Sequence, residues 1–155
     1  MRATLGTEAE QRPGVVRALE LLLADEFVLY TKTRNYHWNV TGPRFNDLHK
    51  FFEAQHEELD GIVDEVAERG RALGERALGG LSDFLKAASL KDEAGKPRAD
   101  AMLLNLLKDH EAIIRGLRKN LEACATLGDM GTSDFLTGLM ERHEKMAWML
   151  RAFGE

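Results

Sequence analysis

Two small groups of histidine and carboxylate residues have side chains that could bind a metal ion. The first group contains His37, His49 and Glu53, and the second contains Asp64 and Glu68. Imidazole together with carboxylate suits ferrous iron or a similar first-row metal, and the single cysteine excludes a closed, cysteine-rich zinc site. Acids four residues apart are also common on solvated helix faces, so either pair alone is weak support for a metal site.

The spacing between the two groups decides how they could act together. His49 and Asp64 are 15 residues apart, which on one continuous helix is about 22 Å. The groups therefore cannot share an ion within one subunit. If two copies of this helix pack antiparallel around a twofold axis, each chain's histidines meet the other chain's acids and two identical sites form. The axis is then expected near Glu58 and Leu59, provided that both groups serve the same site.

The helices that must position these residues are predicted by apolar residues recurring at steps of three and four. Glycine-rich and proline-containing segments separate the periodic stretches. The four predicted long helices run from about Pro13 to Val40, from Arg44 to Leu73, from Pro97 to the segment Gly128–Gly131, and from Thr132 or Ser133 almost to the C-terminus.

The connection between the second and third long helices, from about Gly74 to Lys96, is much longer than the other two. A short helix is predicted inside it over Ser82–Ser89, with Ser82 as N-cap. A connection of this length can cross the whole bundle. The sequence therefore predicts an all-α, ferritin-like four-helix bundle with a long middle crossover, in one domain over residues 1–155. Residues 1–12 are expected to form a short flexible segment.

Composition excludes several other classes of protein. The formal net charge is −5, which argues against a surface that attracts nucleic acid or anionic membrane all over. There is no apolar run long enough to span a bilayer and no signal-peptide pattern at Met1, so we expect a cytoplasmic protein with no membrane partner. The lone Cys124 lies among apolar helix positions and is expected in the core.

Three stretches of the sequence resemble the Dps family of miniferritins. The resemblance covers most of the chain and rests on the combined spacing of histidine, histidine and Asp-x-x-x-Glu. The matching stretches are HWNVTGPRF at 37–45 followed by Leu48 and His49, DEVAER at 64–69, and EKMAWML at 144–150.

This resemblance implies a ferroxidase that oxidises Fe²⁺, preferably with hydrogen peroxide, and stores ferric mineral inside a dodecameric shell of identical subunits. It implies that His37 and His49 of one subunit and Asp64 and Glu68 of its neighbour bind a pair of irons. Glu53 matches a further acidic ligand that is often aspartate in the family. Trp38 matches an aromatic residue beside the centre that takes up stray oxidising equivalents, although packing at a helix end is an equally good interpretation.

The remaining histidines have other interpretations. His110 and His143 fall on apolar helix stripes and are expected to be hydrogen-bonded core residues. Glu53 and His56 form the Glu-x-x-His unit of classical di-iron bundles. That kind of site needs a second such unit, which the segment Glu141–Glu144 does not supply.

The loop between the third and fourth long helices resembles the acidic stretch that lines the family's three-fold pores. Asp129 and Asp134 are the candidate pore residues, since copies around a three-fold axis would concentrate Fe²⁺. Aspartates at a helix start are also ordinary capping residues, so both interpretations stay open.

Two other functions are alternatives to iron oxidation. Some Dps relatives compact DNA through a lysine-rich tail, but the segment before Pro13 carries Arg2 and Arg12 against Glu8 and Glu10, and phosphate neutralisation needs more cations than this. DNA binding is therefore not favoured. The second alternative is a structural bundle whose acids are only surface charges.

Overall fold

A computed structural model describes residues 12–154 of the chain, and the predicted flexible segment before α1 lies outside them except for Arg12. Five helices occur in the described range. They are α1 (Arg12–Asn39), α2 (Phe45–Ala72), α3 (Leu81–Ala87), α4 (Ala99–Thr126) and α5 (Met130–Gly154). The four long helices confirm the predicted all-α bundle, and α1 and α2 begin and end within one residue of their predicted limits. None of the described helices is both long and apolar enough to cross a membrane.

The contacts between helices give the direction of each one. Arg44, just before α2, forms an ion pair with Asp100 in the first turn of α4, so α2 and α4 start at the same end of the bundle. Lys32 of α1 pairs with Asp109 of α4 at 2.7 Å, whereas Tyr36, further along α1, meets Asn105, earlier in α4. The two helices are therefore antiparallel. The connection from α2 to α4 consequently runs the length of the bundle, which confirms the predicted crossover.

The crossover is held against α1 by a buried carboxylate. Asp25 accepts hydrogen bonds from the backbone N–H groups of Ser89 and Leu90, at 2.6 and 2.9 Å. These bonds take the N–H groups that a longer α3 would use, so α3 ends at Ala87 and not at Ser89 as predicted. The side chain that packs α3 onto α1 is Phe84, which stacks on Phe27.

Three predicted helix starts were wrong by one to three residues. Ser82 is not the N-cap of α3, because the helix already begins at Leu81 behind Gly80, whose extended conformation serves as the cap. Helix α4 begins at Ala99, two residues after Pro97. Helix α5 begins at Met130 rather than at Thr132 or Ser133, because the side chain of Asp129 caps it.

The bundle core is apolar and continuous. Its largest fully buried side chains include Leu29, Phe52, Leu106 and Leu139, one from each long helix. Cys124 is buried in this core, as predicted. Gly74 and Gly128 follow the last residues of α2 and α4, and their positive φ angles of 95° and 76° let the next N–H groups bond back to the last turn.

Candidate metal centre

His37 and His49 form a close pair where α1 and α2 meet. Their rings stack with centroids 3.9 Å apart and planes 21° apart. The Nδ1 of His37 lies 2.9 Å from the backbone oxygen of His49, and the Nδ1 of His49 lies 2.8 Å from the backbone oxygen of His37. A carbonyl oxygen only accepts, so each Nδ1 carries the proton. Each Nε2 is therefore left with a lone pair that can bind a metal.

The short turn between α1 and α2 brings this pair together, and neighbouring side chains fix it. Tyr36 is buried beside His37, and its hydroxyl donates to Glu93 of the crossover and accepts from Asn105 at 3.1 Å. Burial, together with the Glu93 carboxylate, raises the pKa of Tyr36, so the hydroxyl stays protonated. The ring of Phe45 stacks on His49 at 5.2 Å. The end of α1 is thus tied to the crossover and to α4.

A third imidazole, that of His56, also contacts His37. The ring centroids of His37 and His56 are 5.1 Å apart with planes at 69°, and His56 also meets the edge of Tyr30 at 6.2 Å. Burial lowers the pKa of His56, with smaller contributions from His37 and Arg34, so its ring is uncharged at neutral pH. The contact between His56 and His37 was missed from the sequence. The available signal was that His49, Glu53 and His56 follow at steps of four and three.

The acidic group is not part of this histidine cluster. Asp64 and Glu68 are exposed on α2, and Glu53 is also exposed. Within residues 12–154 no group of three histidine, cysteine, aspartate or glutamate side chains is arranged to hold a metal ion. One subunit therefore brings His37 and His49 together and leaves Asp64 and Glu68 apart from them, further along the same helix.

Trp38 lies next to His37 in sequence but on the outer surface of α1. Its side chain is 64% exposed, and the guanidinium of Arg34 lies 5.2 Å from its ring centre. The same guanidinium is hydrogen-bonded to the hydroxyl of Tyr30. Tyr30, Arg34 and Trp38 therefore form a contiguous row along α1, beside the histidines.

The two candidate pore residues have different surroundings. Asp129 is buried: its Oδ1 accepts the Thr132 N–H at 2.9 Å and lies 3.1 Å from the guanidinium of Arg69 on α2. Asp134 is exposed, one turn into α5. The capping role therefore belongs to Asp129, and the carboxylate of Asp134 remains open to solvent in the subunit.

His110 and His143 are fully buried and confirm the prediction of core histidines. Their Nδ1 atoms are 2.9 Å apart, and the Nε2 of His143 lies 2.8 Å from the carboxylate of Glu26, which is also fully buried. This cluster lies between α1, α4 and α5. Within the described part of the chain it shares no hydrogen bond or ring contact with the His37–His49 pair.

Comparison with known proteins places the chain in a family. Residues 16–155 match the ferritin family through its ferritin-like domain. A low temperature-induced protein of Nostoc is 47% identical over 99% of this chain and 87% of its own length, and DNA protection during starvation protein 2 of Bacillus anthracis is 38% identical over 90% and 95%. The crystal structure of a Dps protein from Vibrio cholerae, a member of the superfamily of ferritin-like diiron-carboxylate proteins, superposes with a TM-score of 0.94 at 33% identity, covering 100% of this chain and 98% of that one. The chain is therefore a member of the Dps family of ferritin-like proteins.

Proposed function

We propose that this protein is a ferroxidase that oxidises Fe²⁺ at centres between two subunits and stores the ferric product inside an assembled shell. The observation that carries the proposal is the stacked pair of His37 and His49, whose tautomers leave both Nε2 atoms free. The ring separation of 3.9 Å is similar to the roughly 3.5–4 Å between the ions of two-metal sites. Each imidazole can therefore serve one ion of a pair.

The partner subunit's α2 is proposed to complete the centre. Within the described residues, one subunit brings the imidazoles together without the acidic pair, whereas Asp64 and Glu68 are exposed and have no ion-pair partner there. An antiparallel pair of α2 helices would join the two halves. Glu53, on the same face of α2 as His49, would be a further carboxylate ligand.

The proposed reaction takes one electron from each of two Fe²⁺ ions. Hydrogen peroxide accepts both electrons, its O–O bond breaks, and two protons complete two water molecules. Because both electrons are transferred at one centre, no hydroxyl radical is released. Hydrolysis of the Fe³⁺ then returns protons to the solvent and leaves a ferric oxide mineral. If the second Fe²⁺ did not supply its electron to the oxidant, Trp38 would donate that electron instead.

The names of the relatives support a protective role. The Bacillus anthracis and Porphyromonas gingivalis proteins are called DNA protection during starvation proteins. Removing Fe²⁺ and peroxide together would protect DNA without contact with it. Direct DNA binding is the less favoured alternative, because the net charge of −5 opposes association with phosphates. The closed shell, a dodecamer by resemblance to the family, is part of the same proposal.

A subunit-mixing experiment tests the intersubunit centre. One variant carries His37→Ala and His49→Ala, and the other carries Asp64→Asn and Glu68→Gln. We expect each to oxidise Fe²⁺ with peroxide at least about tenfold more slowly than the parent, because each lacks half of the ligands. After the two are denatured together and reassembled, every mixed interface holds one doubly defective centre and one intact centre. Activity should therefore recover in part.

The controls are each variant reassembled alone and native mass spectrometry of the mixture. Full activity of the acidic double variant would remove Asp64 and Glu68 from the centre. Absence of recovery in assemblies shown to be mixed would contradict a centre built from two subunits.

A further inference from the structure

We propose that His37 and His56 of one subunit form a second metal site, which takes an imidazole-preferring divalent ion such as Zn²⁺ or Co²⁺ and competes with iron for His37. The inference deepens the proposed function, because it assumes that His37 is also an iron ligand. Its starting point is His56, which neither the twofold arrangement nor the acidic group requires.

The relative position of the two rings fits one shared ion. Two imidazoles that bind an ion at about 2.1 Å, with an angle near 90–110° at the metal, have ring centres roughly 4.5–5 Å apart. The His37 and His56 centroids are 5.1 Å apart, and the 69° between their planes lets in-plane lone pairs converge. The planes of His37 and His49 are only 21° apart and their centroids are 3.9 Å apart, so their lone pairs lie in two nearly parallel, separate planes.

A carboxylate projects from the same face of α2 as His56. Glu53 is three residues before His56 on α2, so the two side chains project from one face of the helix. Glu53 is exposed and has no hydrogen bond or ion pair to another residue in the described part of the chain, and neither ring nitrogen of His56 has a hydrogen-bond partner there. Two imidazoles and water, which the exposed Glu53 would join by turning towards the ion, form a donor set that suits zinc and cobalt.

The two sites exclude each other at His37. Its Nδ1 is engaged with the backbone oxygen of His49, so only Nε2 is available. An ion held by His37 and His56 therefore withdraws His37 from the iron centre. Zinc at this site would slow iron oxidation without occupying Asp64 or Glu68.

Cobalt titration of the assembled full-length protein tests the site. Protein carrying Asp64→Asn and Glu68→Gln lacks the acidic ligands, and we expect it still to bind about one Co²⁺ per subunit, with visible absorption typical of imidazole ligands. Adding His56→Gln should weaken this binding by about tenfold or more. The matched control is Glu57→Gln, which removes a charge from the adjacent exposed position but no imidazole, and it should leave the Co²⁺ affinity within about threefold.

Equal Co²⁺ affinity with and without His56 would overturn the inference. A second measurement uses the otherwise unaltered protein: the ratio of iron oxidation rates with and without Zn²⁺ should be closer to one in His56→Gln than in the parent, and an unchanged ratio would overturn the competition. If the acidic double variant oxidised iron at the parent rate, the proposed intersubunit centre would fail, while the Co²⁺ titration would still decide this inference by itself.

Discussion

Three side chains inside the bundle form a buried polar cluster with few other polar neighbours. Glu26, His143 and His110 are each completely buried, and they come from α1, α5 and α4. The buried side chains that α2 contributes to the core carry no charge. The nearest charged residues in sequence on α4 and α5 are already paired with other groups. Arg142 pairs with Glu58 and Glu65, Arg118 with Glu144, Arg151 with Glu111, and Asp109 with the buried Lys32 of α1. A proton added to this cluster would therefore have no counter-ion nearby other than Glu26.

The buried cluster of Glu26, His143 and His110 leads to a prediction about how stability depends on pH. Burial, and secondly His143, lowers the pKa of His110 well below 6.5 in the folded state. Below pH 6.5 the unfolded chain binds a proton that the folded one does not. The free energy of unfolding therefore decreases as the pH decreases, by up to roughly 1.4 kcal/mol per pH unit. Urea unfolding between pH 7.5 and 5 should show this slope reduced in His110→Gln. Identical slopes in the two proteins would contradict the assignment.

The sequence was sufficient to propose histidines and carboxylates as metal ligands, but not to predict the arrangement of the histidine rings. His37 and His49 are near a helix end and a helix start, so their proximity follows from a short turn between antiparallel helices. Their stacking and tautomers depend on two backbone oxygens whose positions are fixed only by helix packing. The spacing within α2 places His56 on the same face as His49, but its contact with His37 crosses between α1 and α2 and depends on how the two helices pack.

At the scale of the helices, the N-terminal cap of α5 is stabilised by an ion pair with a residue of α2. Asp129 caps α5 through the N–H and hydroxyl of Thr132, at 2.9 and 2.6 Å. The sequence offers Asp129, Thr132, Ser133 and Asp134 as capping residues within a short stretch, and local preference does not distinguish them. Arg69 of α2 selects Asp129, because the ion pair at 3.1 Å holds this carboxylate at the helix end.

We therefore expect Asp129→Ala to destabilise the subunit. The substitution removes a cap, which costs about 1–2 kcal/mol, and leaves the guanidinium of Arg69 without its partner. Asp134→Asn is the matched control and should change the free energy of unfolding by about 0.5 kcal/mol or less, since Asp134 is exposed. Both values can be measured by urea unfolding. Equal losses in the two variants would show that Asp129 is not the principal cap.

At the scale of the whole molecule, negative charge is concentrated on one helix. The exposed acids of α2 are Asp47, Glu53, Glu57, Glu58, Asp60, Asp64, Glu65 and Glu68. Within the subunit, Arg142 of α5 neutralises Glu58 and Glu65 at 2.6 and 2.7 Å, which leaves Asp64 and Glu68 available for other cations. The net charge of −5 therefore matches the proposed binding of metal cations, and the proposed closed shell would also need a route by which Fe²⁺ reaches its interior.

Asp134 is the residue through which we expect the assembly to attract Fe²⁺. Since Asp129 is committed to the cap and to Arg69, Asp134 is the candidate with a free carboxylate, and copies of it around a three-fold axis would add their potentials at the entrance. Asp134→Asn should slow iron uptake by assembled shells several-fold at low iron and low salt. The difference should shrink at high iron, where entry no longer limits the rate, and at high salt, where the Debye length falls to about 3 Å at 1 M.

Uptake can be followed by the absorbance of the ferric product after stopped-flow mixing with Fe²⁺ and peroxide. Equal slowing at every iron and salt concentration would indicate an effect on the oxidation centre or on folding, and not on the attraction of Fe²⁺ to a pore.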